Sequence, residues 1–190
     1  MNIPNKLTVS RMLLTPLFLA LIMADIKHNF WLSLVVFAVA ALTDFADGKL
    51  ARKYDEVTVF GQLVDPVADK MLTTAALLSF LHYGLCNVWI VLIILTREFA
   101  VTSIRLIASA QGIVIPANIW GKLKTVCQMV FSLLIIFLAG LDSNYTVFKE
   151  YTPISLAFLS HILLWITAIL AVVSGLVYAL QSKNYIDYSK

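Results

Sequence analysis

The feature that most constrains this chain is a succession of long oily runs. A hydrocarbon layer about 30 Å thick is crossed by about 20 helical residues. Six segments qualify, near residues 13–26, 30–50, 65–83, 87–110, 120–139 and 154–181. Composition points the same way, with 61% hydrophobic and 13% charged residues and a mean hydropathy of +0.89. Soluble domains hold roughly 45–50% apolar and 25% charged residues. The expected fold is an all-α polytopic membrane protein, a single domain over residues 1–190 with six transmembrane helices. Residues 1–12 include the polar stretch NIPNKLTVSR and read as a short interfacial helix. That polar start, followed by an apolar run with no small-residue cleavage site, argues against a cleavable signal peptide.

Placement of Lys and Arg predicts orientation. With the N-terminus inside, twelve basic residues fall on the inner side: Lys6, Arg11, Lys49, Arg52, Lys53, Lys70, Arg97, Arg105, Lys122, Lys124, Lys183 and Lys190. Only Lys27 and Lys149 fall outside. Both termini are therefore expected at the cytoplasmic face of the membrane. The net charge of +3 is modest and suggests no nucleic-acid partner. The two cysteines, Cys86 and Cys127, are too few and too far apart for a zinc or disulfide framework and read as buried free thiols.

Against this oily background, four of the eight aspartates stand out: Asp44, Asp47, Asp65 and Asp69. Helical spacing puts Asp44 and Asp47 on one face, and Asp65 and Asp69 on another. An Asp in the middle of a membrane span costs roughly 2.5–3.5 kcal/mol on insertion scales, so four of them call for a function. Ionised carboxylates at close quarters repel and take up protons unless a cation sits among them. All-oxygen donors suit a hard divalent ion, Mg²⁺ or Mn²⁺, of the kind that bridges substrate phosphates. Gly48 leaves room for a bulky ligand, and Arg52, a turn beyond, suits a phosphate. Asp65-Pro66 reads as the start of the third span, with Asp capping and Pro in the first turn. A second basic set, Arg97, Arg105, Lys122 and Lys124, falls on the same membrane side. A metal flanked by two anion sites fits transfer of a phosphoryl group between anionic substrates.

The spacing Asp-x2-Asp-Gly-x2-Ala-Arg-x8-Gly-x3-Asp-x3-Asp is complete at Asp44, Asp47, Gly48, Ala51, Arg52, Gly61, Asp65 and Asp69. It resembles the signature of the CDP-alcohol phosphotransferases. Likeness to members using glycerol 3-phosphate extends to NIPNKLTVSRMLLTP, TREFAVTSIRLIASAQG and GKLKTVCQ. The resemblance implies that Asp44, Asp47 and Asp65 ligate the metal. Asp69 would act as general base and touch a second metal. Gly48, Ala51 and Arg52 would line the cytidine diphosphate pocket, with Asn5 and Thr8 nearby. It further implies transfer of the phosphatidyl group of CDP-diacylglycerol to sn-glycerol 3-phosphate, among membrane lipids, by a homodimer. Arg105, Lys122 and Lys124, with Arg97 behind them, are the candidates for the acceptor phosphate.

Each residue also has a plainer reading. Arg52 and Lys70 could be positive-inside anchors, or Lys70 a partner that keeps Asp69 ionised. Lys122 and Lys124 could be loop lysines, and Arg97-Glu98 a helix-end ion pair. Asn5 and Thr8 could cap a short helix. Lys49, Lys53, Asp55 and Glu56 read as a solvated loop. His28, His82 and His161 read as interfacial packing, and the tryptophans as aromatic belts. Serine, inositol phosphate or phosphatidylglycerol as acceptor, a divalent-cation transporter and a non-catalytic lipid-binding subunit are the rivals. A transporter would spread its acids through the membrane depth on several helices, whereas here they gather at one side.

Overall fold

The structure is a computed structural model describing residues 3–54, 59–113, 118–144 and 155–183. Side chains are described for these except 3–6, 44–54, 59–66, 69, 110 and 144. Among the described residues there are six helices and no strands. They are α1 (Ile3–Met23), α2 (Asn29–Tyr54), α3 (Val59–His82), α4 (Val88–Ala110), α5 (Ile119–Asn144) and α6 (Leu156–Ser182).

Short chemistry at the connections explains several boundaries. In the α1–α2 turn, His28 adopts the left-handed conformation, φ 67°, and Asn29 Nδ2 donates to the Ile22 carbonyl at 3.0 Å. Tyr83 Oη donates to the same carbonyl at 2.6 Å, tying α3 to the end of α1. After α3, Gly84 takes φ 69°. Its N–H bonds Leu81 O while that of Leu85 bonds Phe80 O. This paired closure needs a residue free to be left-handed. Gly112, φ 72°, ends α4 in the same way. Asn87 caps α4 by accepting from Trp89 N at 3.0 Å.

Three expectations about boundaries are corrected. Residues 3–12 are not a separate short helix, because α1 runs unbroken from Ile3 to Met23 through Pro16. The third helix starts at Val59, so Asp65-Pro66 lies inside it rather than at its cap. Prolines are tolerated within membrane helices where neighbours re-satisfy the freed backbone. Lys49 and Lys53 lie on α2 rather than in a solvated loop. Lys49, Leu50, Ala51, Arg52 and Lys53 all favour helix, which carries α2 on past its oily part. Asp55 and Glu56 fall outside the described residues.

The side chains sort in the sense that a lipid solvent demands. Along α6, Ser160, Thr167 and Ser174 are fully buried while Ile169 and Leu180 are 58% and 64% exposed. Small and hydroxyl residues let helices approach closely where lipid, not water, covers the outside. Ile119–Ser143 and Leu156–Ser182 are each long and apolar enough to cross a membrane, with only 33% and 28% of their most apolar stretch buried. Within α1 and α2, Leu7–Met23 and Asn29–Thr43 are apolar stretches. The chain therefore has the character of a membrane protein.

Packing closes the helices into a ring in the order α1, α2, α5, α6, α4, α3 and back to α1. The core is Phe18, Ile22, Phe37, Leu72, Leu77, Phe80, Ile90, Ile94 and Ile135 with their alanine neighbours. One end of the bundle gathers Ile22, Asn29, Tyr83, Leu85 and Ser160.

Candidate active site

The motif divides between two helices. Positions 44, 47, 48, 51 and 52 lie on α2, and 61, 65 and 69 on α3. Unbroken helical backbone makes Asp44/Asp47 and Asp65/Asp69 same-face pairs. Their side chains, with those of Asn5, Gly48, Ala51 and Arg52, lie outside the described residues. α1 packs extensively on both α2 and α3. Thr8 is buried well inside α1, which sets aside its reading as a cap. Arg11, a turn further on, is 2% exposed and is thus drawn into the bundle rather than out to an interface.

Around the ring, α3 is followed by α4 and α2 by α5, the helices that carry the second basic set. Arg97 and Glu98 sit near the middle of α4, not at a helix end. Arg97 Nη1 meets Glu98 Oε1 at 3.0 Å, and its Nε donates to Ser174 Oγ on α6 at 3.0 Å. Lys124, on α5, is only 2% exposed and its ammonium pairs with the same Glu98 Oε1. Arg97 fills the space left by two glycines. A Cβ at Gly121 would lie 3.1 Å from its Nη2, and one at Gly175 3.1 Å from its Cγ. Arg105 donates from Nε to Tyr178 Oη at 3.3 Å, with its guanidinium 5.4 Å from the ring centroid. Lys70, next to Asp69 in the chain, bonds Thr102 Oγ1 on α4 and lies 5.8 Å from the Phe99 ring.

The structure thus brings Arg97 and Lys124 together, sets Arg105 two turns along α4, and turns Lys122 to the exposed face of α5. Two residues apart on a helix means nearly opposite faces. Glu98 had no expected role. Its position beside Arg97 in an oily helix was the only sequence signal. Ser174 and Tyr178 gave none, because their partners come from a helix 73 or more residues away.

Between α1, α3 and α4 lies a cavity of about 570 Å³, lined chiefly by Pro16, Leu19, Val67, Met71, Leu78 and Phe99, with Lys70 among them. It has the character of an oily groove holding one charge.

Comparison with known proteins adds the decisive observation. The family model for CDP-alcohol phosphatidyltransferases matches residues 1–177. This chain belongs to the CDP-alcohol phosphatidyltransferase family. A Bacillus subtilis relative, named CDP-diacylglycerol–glycerol-3-phosphate 3-phosphatidyltransferase, is 35% identical over 97% of this chain and 95% of its own length. Proteins of the same name from Rickettsia typhi and Haemophilus influenzae are 34% and 33% identical, over 97% and 96% of this chain and 98% and 94% of their own lengths.

CDP-alcohol phosphatidyltransferases generally use a divalent metal. Among the described side chains no trio of His, Cys, Asp or Glu could hold one. The motif aspartates offer four hard oxygen donors from two helices, a donor set of the kind such an ion takes.

Proposed function

We propose that this chain transfers the phosphatidyl group of CDP-diacylglycerol to sn-glycerol 3-phosphate, giving phosphatidylglycerol phosphate and CMP. The observation that carries the reading is the joint presence of the complete aspartate motif on α2 and α3 and a basic cluster on the neighbouring α4 and α5. Relatives that match almost end to end carry the name of that activity.

Asp44, Asp47 and Asp65 hold the metal in this reading. Gly48, Ala51 and Arg52, with Asn5 and Thr8, receive the cytidine diphosphate. Asp69 takes the proton from the acceptor hydroxyl, whose oxygen attacks the lipid-side phosphorus. The bond to the CMP oxygen breaks and CMP leaves. A bound Mg²⁺ or Mn²⁺ supplies charge neutralisation at the pyrophosphate. Arg97, Arg105 and Lys124 receive the acceptor phosphate, since charge-assisted bonds to phosphate are strong and directional, while Lys122, on the exposed face of α5, is left out of that set. The groove between α1, α3 and α4 offers acyl chains a lateral way in. The enzyme works as a homodimer with its site at the cytoplasmic face.

An acceptor panel on purified protein with labelled CDP-diacylglycerol tests the reading. Label should enter lipid with glycerol 3-phosphate, stop on chelation by EDTA, and return with Mg²⁺ or Mn²⁺. Incorporation with serine or inositol phosphate but not glycerol 3-phosphate would move the chain elsewhere in its family. Metal flux into liposomes without transfer would revive a transporter.

A further inference from the structure

The acceptor site contains a negative charge that the chemistry above leaves unused. Glu98 sits among cations that are meant for a phosphate, in a place where burying any charge is expensive. Its Oε1 alone accepts from two of them, Arg97 Nη1 and Lys124 Nζ. Lys70 is near enough to act electrostatically on both Glu98 and Lys124.

Where these groups meet is informative. α4 and α5 do not touch along their described backbones, and each packs on α6 instead. The Arg97–Glu98–Lys124 chain of contacts spans that gap, with Gly121 and Gly175 leaving space for the guanidinium. Ser174 fixes the other edge of Arg97. Two like charges held this close separate unless an anion lies between them. Replacing a buried ion pair by well-packed apolar residues is often neutral or stabilising, so stability alone is a weak reason to keep it.

Resting on the acceptor assignment just made, we propose that Glu98 is a positioning residue of the acceptor site. It holds Arg97 and Lys124 at one point across the α4–α5 gap, so that an incoming phosphate meets both cations already in place. One carboxylate between Arg97 and Lys124 leaves one positive charge over at that point, which suits an incoming phosphate. Glu98 touches no reacting atom in this scheme.

The test is steady-state kinetics on the purified full-length enzyme in mixed micelles, varying each substrate in turn. Glu98→Gln should raise KM for glycerol 3-phosphate about tenfold or more, the effect of losing one buried charge-assisted contact. KM for CDP-diacylglycerol should stay within about twofold on the same reasoning. Inorganic phosphate, competing for the same cations, should weaken as an inhibitor in step with the acceptor. Glu98→Asp, which keeps the charge on a shorter arm, should fall between. Should Glu98→Gln fail to purify as folded protein, Glu98→Asp carries the test alone. A raised acceptor KM beside an unchanged lipid KM then supports positioning. An unchanged acceptor KM, or both KM values moving together as for general loss of fold, overturns it. Wild-type enzyme that ignores glycerol 3-phosphate overturns the acceptor assignment along with this inference. Normal wild-type turnover with an unresponsive Glu98→Gln overturns this inference alone.

Discussion

Single residues in this chain differ sharply in what their surroundings do to them. Cys86, in the α3–α4 connection, is 5% exposed, and burial pushes its thiol from an ordinary 9.0 up to about 11. A backbone hydrogen bond with Asn87 works the other way and loses. The thiolate is the nucleophile, so reactivity should be low at neutrality. In a Cys127→Ser background, iodoacetamide should label Cys86 slowly at pH 7.5. The rate should climb about tenfold per pH unit towards 11, read by mass shift, because each unit brings tenfold more thiolate. Rapid labelling at neutral pH would contradict the burial. The motif residues stand out one by one in the sequence, since their types and spacing point to one chemistry. Glu98 does not, because a lone carboxylate beside an arginine reads as a local pair until Lys124 arrives from α5.

At the level of elements, helix existence followed from apolar length, and all six expected spans correspond to a helix. The ends were less legible. α2 extends beyond its oily part into the motif, because helix formation continues wherever good formers follow, while α3 begins ahead of its oily part in spite of Gly61 and Pro66. Contacts between helices were invisible beforehand. Gly140 on α5 faces Trp31 on α2, and a Cβ there would lie 3.1 Å from the indole Cε2. The ring is itself wedged edge-on against Phe137, centroids 5.4 Å apart, and has little room to yield. Gly140→Val should therefore destabilise by about 1–3 kcal/mol through overpacking. In detergent the melting temperature should drop by about 2–4 °C per kcal/mol. Unchanged melting would mean that α2 and α5 do not pack as described.

For the whole molecule, the ring order α1, α2, α5, α6, α4, α3 is the fact with the widest consequences. It sets the two helices that carry the motif aspartates beside the two that carry Arg97, Arg105 and Lys124. The proposed orientation belongs at this scale. In a Cys86→Ser, Cys127→Ser background, single cysteines replacing the exposed Lys27 and Lys183 should be labelled by an impermeant maleimide from opposite sides of the membrane. Labelling of Lys27→Cys should occur on intact cells, and that of Lys183→Cys only after the inner face is opened. Both reacting from one side would overturn the proposed topology. Sequence alone was enough for the helical class, the oily exterior, the motif and the family resemblance, because each rests on residue type at short, regular spacing. Folding in three dimensions decided the rest. It chose which of two neighbouring lysines turns inward, which carboxylate joins Arg97 to Lys124, and which glycines give the guanidinium its space. Those outcomes depend on side chains brought together from helices far apart in the chain, and no local pattern encodes such meetings.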